Sequence, residues 1–225
     1  MLRVFTTFSG YDSQCLALKK DGIDFELVGW SEIDKTAIEA HNLIFPEYAE
    51  RNYGDIRNID WNNVPDFDFL TYSSPCQDIS ISGLRRGLET GSGTRSSLLW
   101  ECQKAIEIKR PKYLMLENVK MLVGKKFYKD FERWLSILND YGYKSYWKVM
   151  RGSDYGVPQA RDRVFAVSIL NPKKEFEFQP KVKLEKSMED YMEKKVSEEY
   201  YFTDEEIKHY INDNPHFYKF AGEQE

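Results

Sequence analysis

The sequence predicts an α/β protein with a mainly parallel sheet flanked by helices. Three observations carry this. Apolar runs of strand length alternate with stretches of helical period along residues 1–170. Glycine or proline punctuates many of the junctions. The chemically unusual residues fall where strands stop, in FSGYDS, SEID, SSPCQ and LENV. In parallel α/β sheets ligands bind past the carboxyl ends of the strands, near the point where strand order reverses.

The elements follow in order. RVFTTF (3–8) is a buried strand and GYDS a turn. Residues 13–20 form a short helix ended by Gly22, and FELVGWSE (25–32) is the second strand. Residues 34–45 are helical and stop at Pro46. DFLTYS (68–73) is a strand. From Ser96, Leu98, Leu99, Cys102 and Ile106 keep helical spacing up to Arg110-Pro111. YLMLEN (113–118) is the next strand. Phe127, Phe131, Trp134, Leu135 and Leu138 share one helix face, and Gly142 closes that helix. YKSYWKVM (143–150) and RVFAVSIL (163–170) complete the sheet. Residues 1–180 are expected to form one domain and residues 181–225 a charged helical appendage or linker, with a capping box at Thr203–Glu206.

Composition narrows the function classes. Hydrophobic residues are 41% and aromatic residues 15%, an ordinary globular balance. No apolar run reaches membrane-spanning length and no signal peptide is evident, so a cytoplasmic location is expected. Cys15, Cys76 and Cys102 form no CxxC pair, and the three histidines complete no ligand pattern with them, so neither a disulfide framework nor a metal site is expected. Residues 181–225 hold 7 Lys+Arg and 12 Asp+Glu, whereas residues 1–180 hold 25 of each. Nucleic-acid contact must therefore come from local clusters or from another chain.

Three strand-end groups stand out. A lone cysteine is usually a small core residue, but Cys76 sits in SSPCQD, where its thiolate would be the strongest nucleophile in a cleft. Glu117 follows four apolar residues at a neighbouring strand end. It is either half of a helix-capping Glu/Asn pair or a proton donor facing the same cleft. Gln159, Arg161 and Arg163 alternate ahead of the last strand, so an extended backbone puts them on one side. Two guanidinium forks there suit a carbonyl, a carboxylate or a phosphate. A solvated turn is the bland alternative.

PCQ, then ENV, then QxRxR, in this order, resemble motifs of the C5-cytosine methyltransferase family. Glu117 follows Cys76 by 41 residues and Gln159 follows Glu117 by 42, in agreement with that pattern. FSG (8–10), SEID (31–34), GDI (54–56) and RSSLLWE (95–101) resemble further motifs in register, and the likeness covers about residues 1–170. It implies a Rossmann-like fold that uses S-adenosyl-L-methionine. It places Phe8, Ser9, Gly10, Glu32, Ile33, Asp55, Ile56, Pro75 and Leu98 at the cofactor, with Glu32 on the ribose hydroxyls and Asp55 on the adenine amino group. Where the family has two glycines this chain has Asp12 and Ser13, which are placed to cap the following helix.

The resemblance also implies a reaction. Cys76 adds to C6 of a cytosine, C5 takes the methyl group, a base removes the C5 proton, and elimination frees the thiolate. Glu117 would bond N3 and the exocyclic amine, Arg163 would contact O2, and Gln159 and Arg161 would support them. Gln77, Ser80 and Ser82 lie on the loop that closes over a flipped base, and Arg85, Arg86 and Arg95 add a local basic cluster for phosphates. The partner implied is double-stranded DNA. The family's target-recognition domain and final motifs are not recognisable, so a second chain or missing segment is expected to supply them. Alternatives remain open: a tRNA cytosine-5 methyltransferase, which uses the same motifs, or a non-catalytic module that binds the cofactor or nucleic acid. A nicotinamide-dependent reductase is disfavoured because the first turn lacks GxGxxG.

Overall fold

The structure, a computed structural model, describes residues 1–74, 98–99 and 101–213. The chain divides into two compact units, Met1–Leu184 and Glu185–Glu225. The first is built on one six-stranded sheet in the order β2-β1-β3-β4-β6-β5. The strands are β1 Leu2–Thr7, β2 Phe25–Ser31, β3 Phe69–Tyr72, β4 Tyr113–Val119, β5 Tyr143–Arg151 and β6 Asp162–Leu170. β1 to β4 pair in parallel, and β6 runs antiparallel between β4 and β5. The sheet is mainly parallel, as the sequence implied. The single reversed strand reflects the connection at Gly152–Gln159, too short for the crossover helix a parallel neighbour needs.

Helices cover both faces. α1 Ser13–Lys20 and α2 Lys35–Ile44 pack over Val4, Leu27 and Trp30, with Cys15 and Phe45 in the same cluster. α3 Glu101–Lys109 and α4 Tyr128–Asp140 pack over Leu70, Tyr72, Leu114, Leu116, Val164 and Ala166. Side chains alternate across the pleat, so adjacent residues such as Val4 and Phe5 enter opposite layers. α2 starts where the Asp34 carboxylate accepts from Ala37 N at 2.9 Å, and Pro46 stops it. α3 is described from Glu101; the start expected at Ser96 lies outside the described residues. Trp134 donates to the Tyr72 hydroxyl at 3.1 Å and so fastens α4 to β3.

In the second unit α5 spans Asp204–Asp213, and its start is the expected capping box. Thr203 N and Oγ1 donate to Glu206 Oε2, both at 2.8 Å, and Glu206 N returns a bond to Thr203 Oγ1 at 3.3 Å. No described helix is long and apolar enough to cross a membrane.

One close approach organises the β1–β2 edge. The register passes from Val4↔Leu27 to Phe5↔Gly29, so Val28 is bulged out and Gly29 lies under the Phe5 ring. An added Cβ at Gly29 would sit 2.5 Å from Phe5 Cε2 and 2.7 Å from Tyr53 Cε2. Phe5 is itself held by Trp61 and Phe67, so its ring has little room to retreat. Gly29→Ala is expected to cost about 1–3 kcal/mol, read as a lower urea midpoint at unchanged slope.

Candidate active site

The strand order reverses at β1, whose neighbours are β2 and β3. The loop after β1 is therefore the expected ligand end, and its backbone is unusual. Phe8 (φ 53°), Gly10 (φ 58°) and Asp12 (φ 63°) all take left-handed conformations. Aspartate tolerates this better than most residues because its short side chain bonds locally. Asp12 is fully buried and caps α1 by accepting from Cys15 N at 3.3 Å. It also accepts from Thr6 Oγ1 at 2.8 Å, and its carboxylate lies 3.7 Å from His41 Nε2. His41 is equally buried and stacks on Trp30 with ring centroids 3.7 Å apart. Three elements thus converge on a carboxylate where the resembled family has glycine.

Glu32 ties the first loop to the second. Its Oε2 accepts from Gly10 N at 2.9 Å, and its Oε1 from Ile33 N at 2.8 Å and Asp34 N at 3.0 Å. An ionised carboxylate has about four acceptor sites, so roughly one remains for a ligand hydroxyl. Asp55 caps a short turn by accepting from Arg57 N, and Arg57 holds the same carboxylate with its guanidinium. Those bonds keep the Asp55 carboxyl below the usual carboxylate range, against a smaller opposing effect of burial. Ile56 is in the core at 4% exposure and Ile33 is 66% exposed. Leu98 packs against the core.

Two strands along the same edge of the sheet, the antiparallel register of β4 and β6 sets Glu117 opposite Phe165 and Val119 opposite Arg163. Arg163 Nε meets Glu117 Oε1 at 2.9 Å, and each side chain is less than a quarter exposed. Burial raises the Glu117 carboxyl above its ordinary 4.5; the Arg163 and Arg161 charges and the Arg163 hydrogen bond offset only part of this. Next to it, Asn118 is buried and its Nδ2 reaches Ser74 O at 3.2 Å and Ser74 Oγ at 3.3 Å. The sequence reading passed over Asn118 as part of ENV. Its position, one pleat off the cavity face yet polar, was the available signal.

The turn after β5 folds back along the segment before β6, and Gln159, Arg161 and Arg163 line one cavity. Ser153 N donates to Gln159 O at 3.1 Å and Gly152 N to Arg161 O at 3.0 Å. A Cβ at Gly152 would lie 3.0 Å from Gln159 O, so glycine lets this backbone close on itself.

A cavity of about 890 Å³ runs along this edge from the loop after β1 to the β4–β6 pair. Phe8, Ser9, Gly10, Glu117, Gln159, Arg161 and Arg163 line it together. So do Tyr11, Gln14, Ser73, Arg151 and Tyr155, which sequence reasoning did not single out. Glu32, Ile33, Asp55, Ile56 and Leu98 are not among its lining residues. Pro75, Cys76, Gln77, Ser80, Ser82, Arg85, Arg86 and Arg95 lie outside the described residues. Cys15 and Cys102 are buried core residues. Burial pushes both thiols up, that of Cys102 to about 12, so neither is a thiolate at neutral pH. Among the described residues no group of three His, Cys, Asp or Glu side chains could hold a metal ion.

Comparison with known proteins accords with this geometry. The C-5 cytosine-specific DNA methylase family matches residues 2–220. The type II methyltransferase M2.ScrFI of Lactococcus lactis subsp. cremoris is 42% identical, covering 92% of this chain and 72% of that protein. The orphan methyltransferase M.SssI of Spiroplasma monobiae is 41% identical over 70% of this chain, a match spanning only 42% of its own length. Among solved structures, the S. pombe Dnmt2 methyltransferase superposes with a TM-score of 0.71 at 20% identity, covering 96% of this chain and 66% of that one. The Entamoeba histolytica methyltransferase EhMeth gives 0.72 at 20% identity, with 91% and 64% covered. These structures share the Rossmann-like methyltransferase fold. With its family match running through nearly the whole sequence and two relatives above 40% identity, the chain belongs to the C-5 cytosine-specific DNA methylase family.

Proposed function

We propose that this chain methylates C5 of a flipped-out cytosine in DNA through a covalent adduct of Cys76. The observation that carries the reading is the Glu117–Arg163 pair, which shares one cavity with the left-handed loop after β1. DNA as substrate is supported by the family and by M2.ScrFI.

The cavity suits S-adenosyl-L-methionine in size, since pockets for such ligands run to several hundred Å³. Phe8 and Gly10 would border it; Glu32 does not line the cavity but holds Gly10 N at its edge, with an acceptor site left for a ribose hydroxyl. When bound, the cofactor supplies an electrophilic methyl group. The chain's own residues do the rest. The Cys76 thiolate adds to C6, which makes C5 nucleophilic. After C5 has taken the methyl group, its proton is removed by a base and the C6–S bond breaks, returning the thiolate.

N3 of cytosine is an acceptor, so the group facing it must bring a proton. A carboxyl whose burial favours the neutral form meets that need, and Glu117 is such a group. Arg163 would take O2, and its charge keeps the proton on Glu117 loosely held.

Two experiments check this. A duplex carrying 5-fluorocytosine traps the adduct because C5 then has no proton to lose. The native chain is expected to form a denaturant-stable species and Cys76→Ser none; an adduct persisting in the variant removes Cys76 from the reaction. Glu117→Gln keeps the shape and loses the transferable proton, so methyl transfer should fall by roughly 10²–10⁴-fold while the thermal midpoint stays close to native.

Arg163→Gln tests the electrostatics. A folded pKa above 4.5 means the folded state binds the Glu117 proton more tightly than the unfolded chain, so this carboxyl favours folding less as pH rises through that window. Without Arg163 the pKa rises further. The variant's loss of stability should therefore be small near pH 5 and grow to about 1–3 kcal/mol near pH 8, measured by urea unfolding. A loss independent of pH would uncouple the two side chains.

A further inference from the structure

Three strand ends meet at the mouth of the cavity: the end of β4, the end of β5 and the start of β6. Each carries a charge. Lys120 follows β4, Arg151 ends β5, and Asp162 opens β6 directly opposite Arg151 in the register. The Asp162 carboxylate holds both cations, with Oδ2 3.2 Å from Lys120 Nζ and Oδ1 3.8 Å from Arg151 Nε. Arg161 precedes it, and both Arg151 and Arg161 line the cavity.

The arrangement is lopsided in charge. Lys120 and Arg151 share the single Asp162 carboxylate, and Arg161 beside them acts on Glu117, in a region, residues 1–180, whose charges cancel overall. Lys120 and Arg151 are 63% and 50% exposed, against 29% for Asp162. A network this exposed adds little to stability. What it does is hold two long cationic side chains side by side, with most of their donors turned to solvent.

We infer that Lys120 and Arg151 form a seat for backbone phosphates of the strand that enters the cavity, with Asp162 as its organiser. The inference rests on the reading that a DNA nucleotide occupies this cavity. A base placed against Glu117 and Arg163 leaves its sugar and phosphates at the mouth, where these cations stand. Each backbone phosphodiester carries one negative charge and two accepting oxygens, as a carboxylate does, and successive phosphates of a strand bring more than one such group, so the cations exchange Asp162 for phosphate or share it. Because only backbone is touched, the seat positions the strand without reading sequence.

Salt dependence tests this. Affinity for a fluorescein-labelled duplex is measured between 50 and 200 mM salt for the native chain, Lys120→Gln/Arg151→Gln and Asp162→Asn. The double variant should give a slope of log affinity against log salt that is shallower by about 2, equally on unrelated sequences. Asp162→Asn keeps the shape and an accepting oxygen between the two cations but removes the charge that competes with phosphate, so it should bind roughly two- to five-fold tighter at the lowest salt. A slope unchanged in the double variant, with thermal unfolding as native, overturns the seat, and so does a native chain with no measurable affinity at 50 mM salt. The 5-fluorocytosine adduct separates the two ideas. Its loss in the native chain sinks the methylation reading and leaves the slope to be judged on its own; its persistence beside an unchanged slope sinks only the phosphate seat.

Discussion

The ion pair between Glu117 and Arg163 depends on strand polarity. β6 runs against β4, so the residue that opens the last strand lies beside the residue that closes the fourth. Were β6 parallel, Arg163 would begin at the far edge of the sheet. The short folded connection from Gly152 to Arg161 enforces the reversal, because it cannot span the sheet. A guanidinium beside a half-desolvated carboxyl then follows without any long-range adjustment. Alternation puts both on the face that carries Met115 and Phe165, while Leu114, Leu116 and Val164 fill the core behind. The apolar backing limits solvation, and limited solvation is what lifts the carboxyl.

The first loop is stabilised by a different device. Left-handed backbone at three positions is costly unless the surroundings hold it. Here Glu32 anchors Gly10, Ser9 Oγ donates to Ser31 O at 3.3 Å, and Asp12 reaches Thr6 and α1. Buried polar groups of this kind tolerate little half-satisfaction. His41 contributes an ion-pair distance rather than a hydrogen bond at Nε2, and its packing against Trp30 fixes the ring. The departure from glycine at position 12 is accordingly a change of support, with side-chain bonds replacing backbone freedom.

Much of this was legible in the chain. Period-2 and period-3.6 patterns located the six strands and the helices of the first unit to within a residue or two where they are described, because each pattern reports which face is buried. That Phe8 and Glu117 share a cleft was readable from the strand-end rule, and that Gln159 and the two arginines join them followed from the family resemblance. Other features were not. The turning of Glu32 onto three backbone amides, the pairing of Asp55 with Arg57, and the hold of Asn118 on Ser74 are tertiary or loop contacts that leave no periodic trace. Arg151 was not singled out, and only the β5–β6 register sets it against Asp162.

The burial of Cys15 and Cys102 bears on chemical labelling. Both thiols are fully buried and protonated near neutrality. A water-soluble maleimide or iodoacetamide offered to the native protein therefore finds no partner at either position. A mass shift of a single adduct would assign the modification by elimination, and attachment of a dye at that sulfur would need no cysteine-free background to be engineered first.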